Sequence, residues 1–215
     1  MLTSLAAITD SILAAVDFDL VLDVLSVAIG LIYLWFEYHA NPLVWVASII
    51  KPLISMWLYY RSGLYADFAI NIYYVAIAVY GYMAWTFKFG KKDKAALPIT
   101  HIGRVATVGC TAAFAALWVA IALFLIRFTD STVPWLDAFT TALSIVAMWM
   151  LARKYAEQWL AWLVVDAVCT YLYIYKGISF NGCLYGLYTI MAWIGYRKWL
   201  RMMAAQESSD SYKPR

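Results

Sequence analysis

Residues 157–177 read EQWLAWLVVDAVCTYLYIYKG, an apolar run with one carboxylate, Asp166, at its centre. A helix needs about 20 mostly apolar residues to cross a bilayer. A charge at that depth costs roughly 2.5–3.5 kcal/mol on insertion scales, so an ionisable residue there is a functional position by default. Trp159, Trp162, Asp166, Thr170 and Tyr173 follow one another by three or four residues. That spacing lays them along one helix face.

Working outward, the rest of the chain has the same character. Of its 215 residues 65% are hydrophobic and 13% charged, and the mean hydropathy is +0.73. Soluble domains hold about 45–50% apolar and about 25% charged residues. The composition therefore predicts an all-α polytopic membrane protein, with seven spans at 20–38, 43–60, 66–87, 105–127, 137–152, 158–176 and 181–200. The longest polar connection is GKKDKAALPITHIGR, between the third and fourth spans, and the tail from Ala204 reads as disordered. The first 17 residues hold no Lys or Arg, which argues against a secretory signal peptide. Cys110, Cys169 and Cys183 lie in apolar segments without a CxxC pair and read as packing residues.

Basic residues set the orientation. Lys88, Lys91, Lys92, Lys94, Arg104, Arg153, Lys154, Arg197, Lys198, Arg201, Lys213 and Arg215 fall on one side, against Arg61, Arg127 and Lys176 on the other. The N-terminus is expected outside and the C-terminus in the cytoplasm. The net charge of +3 is thus an orientation signal, and no nucleic-acid footprint is present.

A shift of 114 residues superposes Asp23 on Asp137, Trp35 on Trp149, Trp45 on Trp159, Gly63 on Gly177, Tyr74 on Tyr188, Gly81 on Gly195 and Trp85 on Trp199. Apolar helices resemble one another in Ala and Leu, but not in paired Trp, Gly and Asp. The chain reads as two parallel three-helix repeats joined by a linker helix (3+1+3). The expected divisions are an extracytoplasmic segment (1–19), a first repeat (20–87), a basic loop and linker helix (88–134), a second repeat (135–203) and a cytoplasmic tail (204–215). Parallel repeats are a transporter architecture with a site near the midplane.

The polar faces supply the candidate binding residues: Trp159, Trp162, Asp166 and Thr170 in span 6, Asn71 and Tyr74 in span 3, Tyr188 in span 7, and Trp45, Lys51 and Ser55 in span 2, with Asn41 just before it. Aromatic faces beside a carboxylate suit a flat organic cation, through stacking, cation–π attraction and counter-charge. A buried Lys51–Asp166 ion pair is the structural alternative. Trp35, Trp85, Trp149 and Trp199, near span ends, read as interfacial anchors, and Gly81 and Gly195 as close-packing points. No HExxH, P-loop or GxSxG occurs, and His39 and His101 sit at span ends. The sequence therefore predicts no enzyme, no cofactor and no metal. Span 7 has its only lysine, Lys198, at its cytoplasmic end, which argues against a retinal Schiff base.

ALSIVAMWMLARKYAEQWLAWLVVDAV, with YKG and GYRKW after it, resembles the PnuC family of vitamin transporters, as does LYADFAINIYYVAIAVYGYMAW. The likeness runs from about Asp23 to Trp199, and its WxxW is Trp159 and Trp162. It implies a fold similar to the SWEET carriers, a homotrimer in the bacterial inner membrane, and facilitated diffusion of a vitamin trapped by cytoplasmic phosphorylation. Nicotinamide riboside is the first expectation and thiamine the alternative. Some nicotinamide riboside carriers have Asn where Lys51 and Asp166 stand and Gln where Asn71 stands, so nicotinamide riboside and thiamine both stay open. A membrane sensor or scaffold that binds without translocating is the reading from another class.

Overall fold

The structure, a computed structural model, describes residues 18–61, 65–87, 97–175, 177 and 179–211. Among these residues the chain forms seven α-helices and no strand: α1 (Phe18–Tyr38), α2 (Leu43–Arg61), α3 (Tyr65–Thr86), α4 (Arg104–Phe128), α5 (Pro134–Ala152), α6 (Gln158–Tyr175) and α7 (Ser179–Ser211). Each expected span falls on one helix. One boundary is corrected: α7 runs on to Ser211, so residues 204–211 of the expected disordered tail are helical. Hydropathy ends near Met203, but Ala, Gln and Glu after it are good helix formers. Residues 212–215, most of the 1–19 segment and most of the basic loop lie outside the described residues.

Two helices among the described residues, α4 and α5, are long and apolar enough to cross a membrane by length and composition alone. Their surroundings differ. Among the seven helices, α4 packs against α5 only, through Phe114, Trp118, Trp135 and Phe139, with Trp118 Nε1 donating to the Trp135 carbonyl at 2.9 Å. Val105, Leu123, Ile126 and Phe128 stay exposed, as on a helix made to face lipid. By contrast α5 buries Ala138, Ala142 and Val146 at intervals of four, and small residues in such a row let helices approach closely. It packs against α4, α6 and α3, while α1 packs against α2 and α7.

The turns after α1 and α5 are built alike. Ala40 has φ +49° and Lys154 φ +55°. Ala40 N donates to the Glu37 carbonyl and Asn41 N to that of Phe36. Lys154 N and Tyr155 N bond Leu151 and Met150 in the same way. Such left-handed caps satisfy the last carbonyls of a helix. Asn41 Oδ1 then accepts from Leu43 N at 2.9 Å, starting α2.

Beyond the turns, Trp45, Trp85, Trp159 and Trp199 form a buried floor. A Cβ on Gly81 would run into the Trp45 ring, and one on Gly195 would lie 2.7 Å from that of Trp159. Both glycines are therefore close-packing points, as expected. Trp85 and Trp199, expected as interfacial anchors, are not: they are 3% and 0% exposed. Trp85 Nε1 donates to the Ala152 carbonyl at 3.2 Å and Trp199 Nε1 to that of Glu37 at 3.1 Å. A tryptophan one turn from a span end reads alike in sequence whether it meets lipid or a neighbouring helix. Trp35, 64% exposed, and Trp149, 36% exposed, do stay at the surface.

Candidate substrate-binding site

Above this floor lies a cavity of about 590 Å³ between α1, α2, α3, α5, α6 and α7. Its walls include five of the residues expected from the sequence: Trp159, Trp162, Asp166, Tyr74 and Tyr188. The helical stripe of α6 is the reason three of them meet, since one face of one helix points inward. Tyr188 crosses to α1, where its hydroxyl would lie 2.7 Å from a Cβ on Gly30. Only glycine lets that ring reach the wall.

The other expected residues lie elsewhere. Trp45 is fully buried beneath Gly81 in the floor. Asn71 is buried one turn before Tyr74 but does not line the cavity. Thr170 returns its hydroxyl to the Asp166 carbonyl at 2.7 Å, and Asn41 caps α2. The side chains of Lys51 and Ser55 lie outside the described residues. Their neighbour Pro52, inside α2, lines the cavity.

The walls also hold residues outside the expected binding set, Tyr173 among them although it lies on the α6 stripe. Tyr173 and Tyr185 stack at 5.1 Å between centroids, with Tyr188 edge-on to Tyr185 at 5.7 Å. Tyr33 turns its hydroxyl to Met148 Sδ at 4.0 Å, and Ser48 adds a hydroxyl from α2. Glu37 matters most. It sits in the last turn of α1, 1% exposed, and faces the cavity. Gly30, Tyr33 and Glu37 step by three and four residues, so the same periodicity that revealed the α6 stripe was available in α1. Among the described lining residues the charged groups are Glu37 and Asp166, both acidic, and they lie close enough to interact electrostatically. An acidic, aromatic chamber suits flat rings that carry positive charge.

Around the turn after α5 the chain is locked from outside the membrane-spanning helices. Thr100 N donates to the Lys154 carbonyl at 3.1 Å and Ala156 N to the Thr100 carbonyl at 3.0 Å. Glu157 meets His101 Nδ1 at 2.6 Å and accepts from Ile102 N at 2.9 Å. Lys154 Nζ stands 4.4 Å from the centroid of the Trp85 ring, and burial lowers its pKa to about 8.

Comparison with known proteins agrees with this picture. Residues 20–201 match the family model described as nicotinamide mononucleotide transporter. The riboflavin/roseoflavin transporter RibM of Streptomyces davaonensis is 28% identical over 178 residues, 82% of this chain and 83% of that one. The nicotinamide riboside transporter PnuC of Escherichia coli is 24% identical over 167 residues, 66% of this chain and 70% of that one. The crystal structure of the vitamin B3 transporter PnuC superposes with a TM-score of 0.61 at 20% identity, covering 83% of this chain and 80% of that one, which is a likeness of fold. These relatives are transporters, not enzymes, and with the greater part of its length matched the chain belongs to the nicotinamide mononucleotide transporter family, that of PnuC.

Proposed function

We propose that the protein imports a cationic aromatic vitamin, nicotinamide riboside in the first place, by facilitated diffusion with trapping inside the cell. One observation carries this reading: Asp166 and Glu37 share a cavity with Trp159 and Trp162. A positively charged ring gains stacking, cation–π attraction and a counter-charge there. Thiamine, also an aromatic cation, is the alternative.

The reading extends to the architecture, two parallel three-helix repeats around the linker α4, assembled as a homotrimer in the bacterial inner membrane. The two Trp-to-carbonyl bonds support the repeats. Trp85 of the first unit reaches the end of α5, and Trp199 of the second reaches the end of α1. With the N-terminus outside and the basic side in the cytoplasm, the tryptophan floor closes the inner end.

Purified protein in liposomes, loaded with nicotinamide riboside, thiamine or riboflavin, tests this by counterflow and calorimetry. The expected result is binding and exchange of a cation, undiminished by a proton ionophore when no membrane potential is imposed. Riboflavin is the second reading, favoured by the likeness to RibM. Exchange of riboflavin with no response to either cation would decide for it.

A further inference from the structure

Glu37 contributes more than a second negative charge. Its backbone carbonyl takes Trp199 Nε1 at 3.1 Å, which holds the end of α1 against α7 and aims the side chain. Gln158, 0% exposed, lies against the carboxyl. Glu37 Oε1, both amide atoms of Gln158 and the indole N–H groups of Trp159 and Trp162 are buried without a hydrogen-bond partner. Glu37, Trp159 and Trp162 all line the cavity. The floor end of the chamber therefore offers the Glu37 acceptor and the two indole donors, with Gln158 packed behind Glu37 and not on the wall. Buried polar groups are nearly always paired, so such a cluster asks for an explanation.

We propose that Glu37, backed by Gln158, forms with the indole N–H groups of Trp159 and Trp162 a head-group subsite that takes a neutral donor–acceptor group on the substrate's ring, a primary carboxamide or an aminopyrimidine edge, and rejects a carboxylate. Glu37 Oε1 is an open acceptor, so the ligand must bring N–H to it. The Trp159 and Trp162 N–H groups can serve a ligand carbonyl, and Gln158 steadies the Glu37 carboxyl from behind. An acid in the same place would set a carboxylate, with no N–H to give, against the Glu37 acceptor, and a buried polar group left unpaired suppresses a wrong partner. The inference rests on the aromatic-cation reading: Asp166 meets the ring's charge and Glu37 fixes which end of the molecule points at the floor.

Isothermal calorimetry on the purified full chain compares nicotinamide riboside with nicotinic acid riboside, and thiamine with oxythiamine, whose carbonyl replaces the amine. The intact protein should prefer the nitrogen-bearing partner of whichever pair it binds, by at least about 100-fold for the amide over the acid. Glu37→Gln should bring that preference to within about fivefold, chiefly by gaining the analogue. A gain of binding cannot come from a misfolded protein. Gln158→Leu should weaken the parent ligand about tenfold without admitting the analogue. Unchanged discrimination in Glu37→Gln would overturn the subsite while leaving the cation reading intact. An intact protein that binds neither cation would overturn both.

Discussion

The turn from α1 into α2 and the turn from α5 into α6 share one backbone device, 114 positions apart. Each has a residue of positive φ, Ala40 or Lys154, and a tryptophan five residues on, Trp45 or Trp159, seated under a glycine. What surrounds them differs. The second turn is bolted to residues 100–102 by backbone bonds and by Glu157. The first presents Glu37 to the cavity, where the corresponding residue of the second, Leu151, is fully buried in the core. Pro52 and Asp166, also 114 apart, both line the chamber. Like backbones thus carry unlike side chains, and the chemistry resides in the differences.

The largest expected effects fall where the two units agree. Trp85→Ala and Trp199→Ala should each cost about 3–5 kcal/mol of stability, the usual loss for a buried aromatic. Trp35→Ala, at an exposed position, should stay within about 0.5 kcal/mol. Melting in detergent measures all three. A loss confined to one of the two buried tryptophans would break the equivalence of the floor's halves.

Smaller effects should appear where the units differ. Asp166→Asn should lower affinity for the cation about tenfold to 100-fold, the range of a hydrogen bond to a charged group, and leave the empty protein as stable or more so. If Asp166 instead pairs with Lys51, the same change strands a buried charge, and adding Lys51→Met should restore the melting temperature. A double-mutant cycle in melting and in affinity separates the two. Trp162→Ala should cost on the order of 0.5–2 kcal/mol of binding, up to roughly 30-fold, with little change in melting. An equal loss of affinity in Trp199→Ala would merge floor and wall into one site.

Much of this was legible in the sequence because bilayer thickness and helical periodicity are local rules. The seven helices, the inward stripe of Trp159, Trp162 and Asp166, and the seating of Gly81 and Gly195 follow from spacing alone. The role of Trp85 and Trp199 does not, since their partners, the carbonyls of Ala152 and Glu37, lie on distant helices. Glu37 was passed over although Gly30, Tyr33 and Glu37 keep helical spacing. In EYHAN it reads as a solvated residue at a span's end, and only the packing of α7 and Gln158 around it places it inside.

The finest comparison is between the two positive-φ residues themselves. A left-handed conformation costs a non-glycine residue about 1–2 kcal/mol, and glycine's greater freedom in the unfolded chain takes back about 0.5–1. Ala40→Gly should therefore raise stability by about 0.5–1 kcal/mol, equally at every pH. Lys154→Gly gains the same backbone relief but also loses a buried ammonium over the Trp85 face, an attraction of about 0.5–2 kcal/mol. The sign of its pH dependence follows from burial. The Lys154 pKa falls from 10.5 to about 8, so between those values the unfolded chain binds more protons than the folded one. Native stability then rises with pH across that window, and the full cost of the buried charge is felt below it. Removing the ammonium should accordingly help most near pH 7, and its benefit should shrink as pH climbs from about 8 to 10.5. Melting curves of the two glycine variants against the parent across that range give the answer. A Lys154→Gly difference as flat with pH as that of Ala40→Gly would mean that the ammonium is not held in the folded turn, and that the two turns differ only in what covers them.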